Sequence, residues 1–379
     1  MNPELGTLST LLVYGAIASY VISMIAFAVD LSGFGKDAPA DRRRRAVGIA
    51  MSTAWLGLIF HVGAVVLRGI AAGRVPWANM YEFTLVATMF TVAVFLVVNQ
   101  FKDVRYLGAP VMFFGVIALL ISITLLYVAA DGVQPALQSY WLVIHVSVAT
   151  LATGLFSVGA LTSVLQLIRD SDERRRNRAV GGEEPDGGAD SDAGDRRGGG
   201  GAGDIGAGPA TDVGAGQATA GSPGAPSAAA REGERSTAVL ATDERGPVAV
   251  DLGGEEPEVA PARPTFFSRV LDAFPAAESL ERLSYRLNAV GLVGWTFVLV
   301  TGAIWAEYAW GRAWGWDPKE TVSLVVWITY AAYGHVRLTT GWNKRTFAYF
   351  SLAGFAALMF NYYGVNIFIN SLHSYAGVG

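Results

Sequence analysis

The stretch from Gly302 to Glu320 holds Trp305, Trp310, Trp314 and Trp316 within twelve residues, beside Tyr308, and closes on Asp317-Pro318-Lys319-Glu320. One reading of the tryptophans is an aromatic belt, because indole prefers the headgroup level of a bilayer. The four closing residues are a helix start signal: Asp317 suits the N-cap, Pro318 the first helical position and Glu320 the third. Capping does not account for the tryptophans. A rigid apolar platform beside a positive helix N-terminus suits a large flat ligand with carboxylates, and porphyrin fits that description. Residue types and spacing leave belt-plus-cap and ligand platform both open.

The nitrogen ligands are four histidines, His61, His145, His335 and His373, and cysteine is absent. That absence excludes a disulfide framework, a thiol nucleophile, and zinc, copper or iron–sulfur sites built on cysteine. It also excludes a c-type cytochrome, which needs a CxxCH attachment motif. A lone histidine in an apolar span is more often a hydrogen-bonded core residue than a ligand, although ionisable groups inside a membrane carry a functional default. Position must decide between the two.

The elements that would position these residues follow from composition. Of 379 residues 52% are apolar and 16% charged, which excludes both a soluble globular chain and a wholly disordered one. Runs long enough to cross a bilayer core lie near Leu8–Val29, Val47–Ile70, Tyr81–Val98, Tyr106–Ala129, Tyr140–Ile168, Leu287–Ala306, Thr321–Val336 and Phe347–Ile369. The expected fold is thus an all-α polytopic membrane protein of about eight transmembrane helices. The first run is not expected to be a cleaved signal peptide: nothing basic precedes it, and it is too long.

Lys36, Arg42 to Arg45, Lys102, Arg105, Arg169, Arg174 to Arg176, Arg337, Lys344 and Arg345 all fall after odd-numbered spans, and the alternate loops are poor in Lys and Arg. The positive-inside bias therefore predicts both termini outside, in the cytoplasmic membrane of the cell. The Trp loop then faces outward. His145 enters the fifth span from its outer end and His373 follows the last span, so both border that loop. His335 lies near the cytoplasmic side of the seventh span and His61 near the middle of the second. At 1.5 Å per residue these two differ in depth by roughly 10–15 Å, too far to share one metal ion.

The formal charge of −4 misleads. Asp170 to Ala260 has no aromatic residue, 20 of the 45 glycines, 19 of the 32 acids and 9 of the 28 bases, which leaves +6 on the remainder. Such a segment cannot bury enough apolar surface to offset its conformational entropy. The expected organisation is helices 1–5 over residues 1–169, a disordered cytoplasmic linker over 170–262, an amphipathic interfacial helix over 263–284 with a kink at Pro275, and helices 6–8 over 285–379 with the ligand loop at 305–320. Asn79 and Glu82, in the run Pro76 to Glu82, read first as a capping box opening the third helix.

Trp310-Gly311-Arg312-Ala313-Trp314-Gly315-Trp316-Asp317, followed by Pro318-Lys319-Glu320, resembles the tryptophan-rich WWD signature of the haem-handling family of cytochrome c biogenesis. The resemblance is to the CcsA/ResC type of the two-component (system II) cytochrome c synthase. It extends from the second span to the C-terminus outside the linker, takes in Ser139 to His145 and Asn366 to Ala376, and gives Pro76 to Glu82 a second reading as a family motif beside the capping box. Ala313 departs from it, standing where relatives often carry an aromatic residue. The resemblance implies haem b as bound substrate, held outside by His145 and His373 with Trp305, Trp310, Trp314, Trp316 and Asp317. It also implies a membrane-embedded haem site with His335 among its ligands; because His61, the weaker candidate, lies at a different depth, a partner subunit is expected to supply the fellow ligand of His335. Arg312 and Lys319 could pair with haem propionates or equally with anionic headgroups. The implied partners are apocytochrome c and a ResB-like membrane protein with an extracytoplasmic domain, and the implied activity is thioether attachment by a holocytochrome c synthase complex. A haem transporter or chaperone without ligation activity, and a structural dihaem electron-transfer anchor, are the alternatives.

Overall fold

Apolar runs of 20 residues or more have no solvent for their backbone polar groups except themselves, so they form helices. The computed structural model describes residues 3–32, 40–129, 139–181, 241–243, 246–248, 270–339, 341–369 and 371–372. The helices are α1 (Pro3–Leu31), α2 (Ala40–Ala72), α3 (Met80–Phe101), α4 (Gly108–Leu125), α5 (Tyr140–Gly181), α6 (Ala277–Trp310), α7 (Pro318–Leu338) and α8 (Lys344–Met359). A π-helical turn, Phe360–Gly364, joins α8 to the short α9 (Val365–Phe368). Six of these segments, α1 to α6, are long and apolar enough to cross a membrane. The two further expected spans correspond to α7, which carries Lys319, Glu320, His335 and Arg337, and to α8–α9, which the π turn interrupts.

Local chemistry sets the helix ends. The Asn79 side chain accepts from the Glu82 N–H at 2.9 Å and starts α3, and Asn343 does the same for α8 through Arg345. Gly311 ends α6 in the left-handed conformation (φ 67°), donating its N–H to the Glu307 carbonyl. Two packed groups result. Helices α1 to α4 enclose Tyr20, Phe27, Leu85, Phe95 and Leu119; α5 to α8 enclose Phe156, Trp295, Tyr330, Phe347 and Leu358. Phe156 stacks on Tyr330 with centroids 3.8 Å apart. Outward, Ile59, Val293, Phe113 and Phe297 are more than half exposed in the middle of their helices, which gives the bundle the apolar exterior that lipid requires.

Two boundaries differ from the compositional reading. Helix α5 continues past Arg169 to Gly181, so its charged end is helical rather than the start of an irregular linker. Ion pairs at helical spacing hold it: Arg169–Glu173, Arg174–Asp170 and Arg176–Asp172. Within the Gly-rich segment, Ala241–Asp243 pairs antiparallel with Gly246–Val248. Past Pro275, the residues expected in an interfacial helix (Leu280, Leu283) lie in α6 itself, which runs unbroken from Ala277 into the sixth span.

Candidate functional site

At the end of the bundle where α6 and α7 meet the Trp loop lies a cavity that is in part continuous with the exterior. Its wall is built from the start of α3, the first third of α5, the second half of α6, the loop, the start of α7 and the π turn with α9. Trp305 and Trp314 of the loop region line it, as do His145 and Lys319.

His145 is held from two sides. Its Nδ1 lies 2.9 Å from the Val298 carbonyl oxygen on α6. A carbonyl can only accept, so Nδ1 carries the proton and the ring lone pair is on Nε2, the tautomer in which a neutral imidazole coordinates a metal. The ring can lie this close to α6 because residue 302 has no side chain: a Cβ there would be 2.9 Å from His145 Cε1 and 3.1 Å from Nδ1. Trp305, 2% exposed, stacks beside the imidazole at 6.3 Å and 22° and meets Trp310 edge-on at 4.8 Å. Gly302 and Trp305 are neighbours on one helix face, which brings the imidazole and the aromatic wall together.

The rest of the loop divides by role. Trp314 faces the cavity and packs edge-on against Trp316 at 5.7 Å. Trp316 is 69% exposed and has a positive φ of 57°, a backbone conformation that costs a bulky residue energy and tends to be retained where it aims a side chain for function. Asp317 completes the expected capping box with Glu320. Its Oδ1 also accepts the Leu372 N–H at 2.9 Å, which ties the residue before His373 to the loop; His373 lies outside the described residues. Lys319 points its ammonium at Asn366 Oδ1, 2.6 Å away, and over the Tyr362 ring.

The other two histidines are elsewhere. His61 is fully buried between α1 and α3, its Nδ1 3.2 Å from the Tyr20 hydroxyl and its Nε2 2.9 Å from the Leu85 carbonyl oxygen. Both ring nitrogens are thus engaged within the packed core. His335 is exposed on α7, on the outer surface of the bundle, sixteen positions from Lys319 and so about 24 Å along the helix.

One wall of the cavity is not apparent from the loop sequence. Trp77, Ala78, Asn79, Met80 and Phe83 line it, so the segment read as a helix cap is also part of the site. Glu82 fastens it. Its carboxylate does not return to the Asn79 N–H, as a capping box requires; it accepts from the Ala78 N–H (2.9 Å), Arg68 (2.9 Å) and Arg74 (2.7 Å). Arg68 also donates to the Val128 carbonyl and lies over the Tyr81 ring. A single acid, Glu82, following Arg68 and Arg74 in the sequence was the available signal.

A membrane bundle whose helix ends gather tryptophans and a histidine around an open cavity defines the class, and the comparisons specify it. The profile described as "Cytochrome C assembly protein" matches residues 77–373, and the chain belongs to this cytochrome c assembly family, as a protein of the CcsA type. It is 33% identical over 327 residues to the cytochrome c biogenesis protein CcsA of Nostoc punctiforme, covering 81% of this chain and 82% of that one. It is 30% identical over 329 residues to CcsA of Gloeobacter violaceus, covering 84% of each, and 31% identical over 337 residues to CcsA of Trichormus variabilis, covering 87% and 88%. Its role is therefore in cytochrome c biogenesis at a membrane.

Proposed function

We propose that the chain binds haem b as substrate in the cavity beside the Trp loop and presents it, at the outer face of the cytoplasmic membrane, for thioether attachment to apocytochrome c. The observation that carries this reading is His145: its tautomer is set by Val298, its ring lies against Trp305, and it lines a cavity with an indole wall and a lysine. This donor set fits haem, for which axial imidazole and flat aromatic contacts are the usual protein contributions. Asp317 holds Leu372 against the loop, which supports His373 as the second axial ligand. Trp310 and Trp316 flank the same edge.

The substrate supplies the reactive chemistry: each cysteine S–H of the CxxCH motif adds across a vinyl double bond, sulfur to one carbon and hydrogen to the other. The chain's own part is to bind, orient and exclude alternatives, and positioning of two reactants is worth roughly 7–11 kcal/mol in favourable cases. The exposure of His335 on the outer surface of α7 supports its part in a second haem site completed by a ResB-like partner. The enclosed ring of His61 supports a core role for that residue. Both termini then lie outside, with residues 170–262 cytoplasmic.

The test is an absorption spectrum of the detergent-purified complex with its partner, with and without His145→Ala and His373→Ala. Loss of the bis-histidine bands in the double variant is expected, together with loss of the thioether adduct on a CxxCH peptide. Bands that survive the double change would refute the outer site. A complex that binds haem yet never labels the peptide would favour a carrier without ligation activity.

A further inference from the structure

The cavity has a polar side as well as an aromatic one, and it lies on α7 and the π turn. Lys319 brings a cation there, with one N–H directed at Asn366 Oδ1. Asn366 is itself fixed, its Nδ2 donating to the Tyr362 carbonyl at 2.7 Å. Beside them Asn361, 4% exposed, donates from Nδ2 to Ser323 Oγ at 2.8 Å, while its buried Oδ1 has no hydrogen-bond partner among the described residues. A buried, unpartnered amide atom is costly. Turned over, the same amide would accept from the Ser323 hydroxyl and offer Nδ2–H instead; the two orientations differ only in the assignment of N and O. The π turn is what brings Asn361 to the wall, since the extra residue in that turn shifts the helix face.

The other basic residue of the loop is placed differently. Arg312 lines no part of the cavity; its guanidinium is 3.8 Å from Glu320. Glu320 itself lines the cavity; its Oε2 accepts the N–H groups of Gly315 (2.8 Å) and Asp317 (3.1 Å), while its buried Oε1 has no hydrogen-bond partner among the described residues. Of the two basic residues of the loop region, the one that an anionic group in the cavity meets is therefore Lys319, with Glu320 next to it on the same wall.

We propose that Lys319, with Asn366 and Asn361, forms the subsite for the carboxylate groups of the bound macrocycle. This rests on the reading of the cavity as a haem site, and adds an orientation to it. The two propionates occupy one edge of protoporphyrin and the vinyl groups the opposite edge. Carboxylates held at the α7 and π-turn wall leave the vinyl edge turned away from Lys319, where the thiols must reach it. Arg312 acts outside this subsite, bracing the loop through Glu320.

The test titrates the detergent-solubilised full chain, in complex with its partner, with haemin and with haemin dimethyl ester, read by the Soret band. The wild type is expected to prefer the diacid about tenfold. Lys319→Gln should weaken haemin binding by that factor, leave the ester unchanged and so abolish the preference; Lys319→Arg should restore part of it and Arg312→Gln should keep all of it. Equal binding of both porphyrins by the wild type, with a histidine-ligated spectrum intact, overturns the subsite alone. So does a preference that survives Lys319→Gln or vanishes in Arg312→Gln. Absence of a histidine-ligated spectrum with either porphyrin overturns haem binding itself and the subsite with it.

Discussion

His61 and His145 each sit on an apolar helix, each one residue among leucines, valines and alanines, and they have opposite surroundings. Among α1 to α4 the imidazole of His61 spends both nitrogens on the protein, one with Tyr20 and one with Leu85. Among α5 to α8 the Nδ1 proton of His145 goes to the Val298 carbonyl, with the ring half-buried at a cavity and beside an indole. The first histidine is cross-linking three helices. The second is oriented by one helix at the wall of a cavity. The same contrast holds for the charges: Arg68, Arg74 and Glu82 close on one another in the first group, whereas Lys319 in the second faces the cavity.

The comparison can be broken most forcefully at Glu82. Glu82→Gln leaves Arg68, 1% exposed, and Arg74, 13% exposed, without their carboxylate. Removing one member of a buried ion pair costs about 3–5 kcal/mol, so a large fall in the thermal unfolding midpoint in detergent is expected. An unchanged midpoint would show that the first group does not depend on this cluster. Gly302→Val should act next, and on the other property. Its side chain must displace the His145 ring, and haem affinity is expected to fall at least tenfold, about 1.4 kcal/mol, with a changed Soret band. A variant with wild-type spectrum and affinity would separate His145 from the binding site.

His61→Leu sharpens the contrast from the other side. It strands the buried Tyr20 hydroxyl and the Leu85 carbonyl, at about 1–3 kcal/mol, and should lower stability while leaving the haem spectrum intact. Loss of the haem bands in a folded His61→Leu protein would move His61 into the ligand set. The smallest expected effect is Asp317→Ala. Loss of the α7 cap costs about 1 kcal/mol, and the Leu372 N–H loses its acceptor. The fold should persist while proteolysis of the C-terminal segment speeds up, and equal cleavage rates would count against Asp317 as its anchor.

Much of this was legible one residue at a time. Hydropathy runs located the helices because a bilayer core leaves a chain few ways to satisfy its backbone. Asp317-Pro318-Lys319-Glu320 announced the start of α7 because capping is a contact between residues three apart. The Trp loop drew attention through density alone. Other features were not legible: Gly302 beneath His145, Trp77 to Phe83 as a cavity wall, the π turn that presents Asn361, and the partners of Glu82. Each depends on which helices are neighbours, and at what rotation, which no local pattern encodes. The charged end of α5 was misjudged by composition because i, i+4 ion pairs stabilise a helix that Gly- and acid-rich averages disfavour.

The sequence by itself determined that this is a helical membrane protein without cysteine, with four histidines and a tryptophan-dense loop capped at Asp317, because those properties are compositional or local. Only the tertiary structure decided that His61 is enclosed while His145 faces a cavity, and that Lys319 rather than Arg312 lines it. A side chain's availability depends on what packs against it, and those neighbours come from distant parts of the chain.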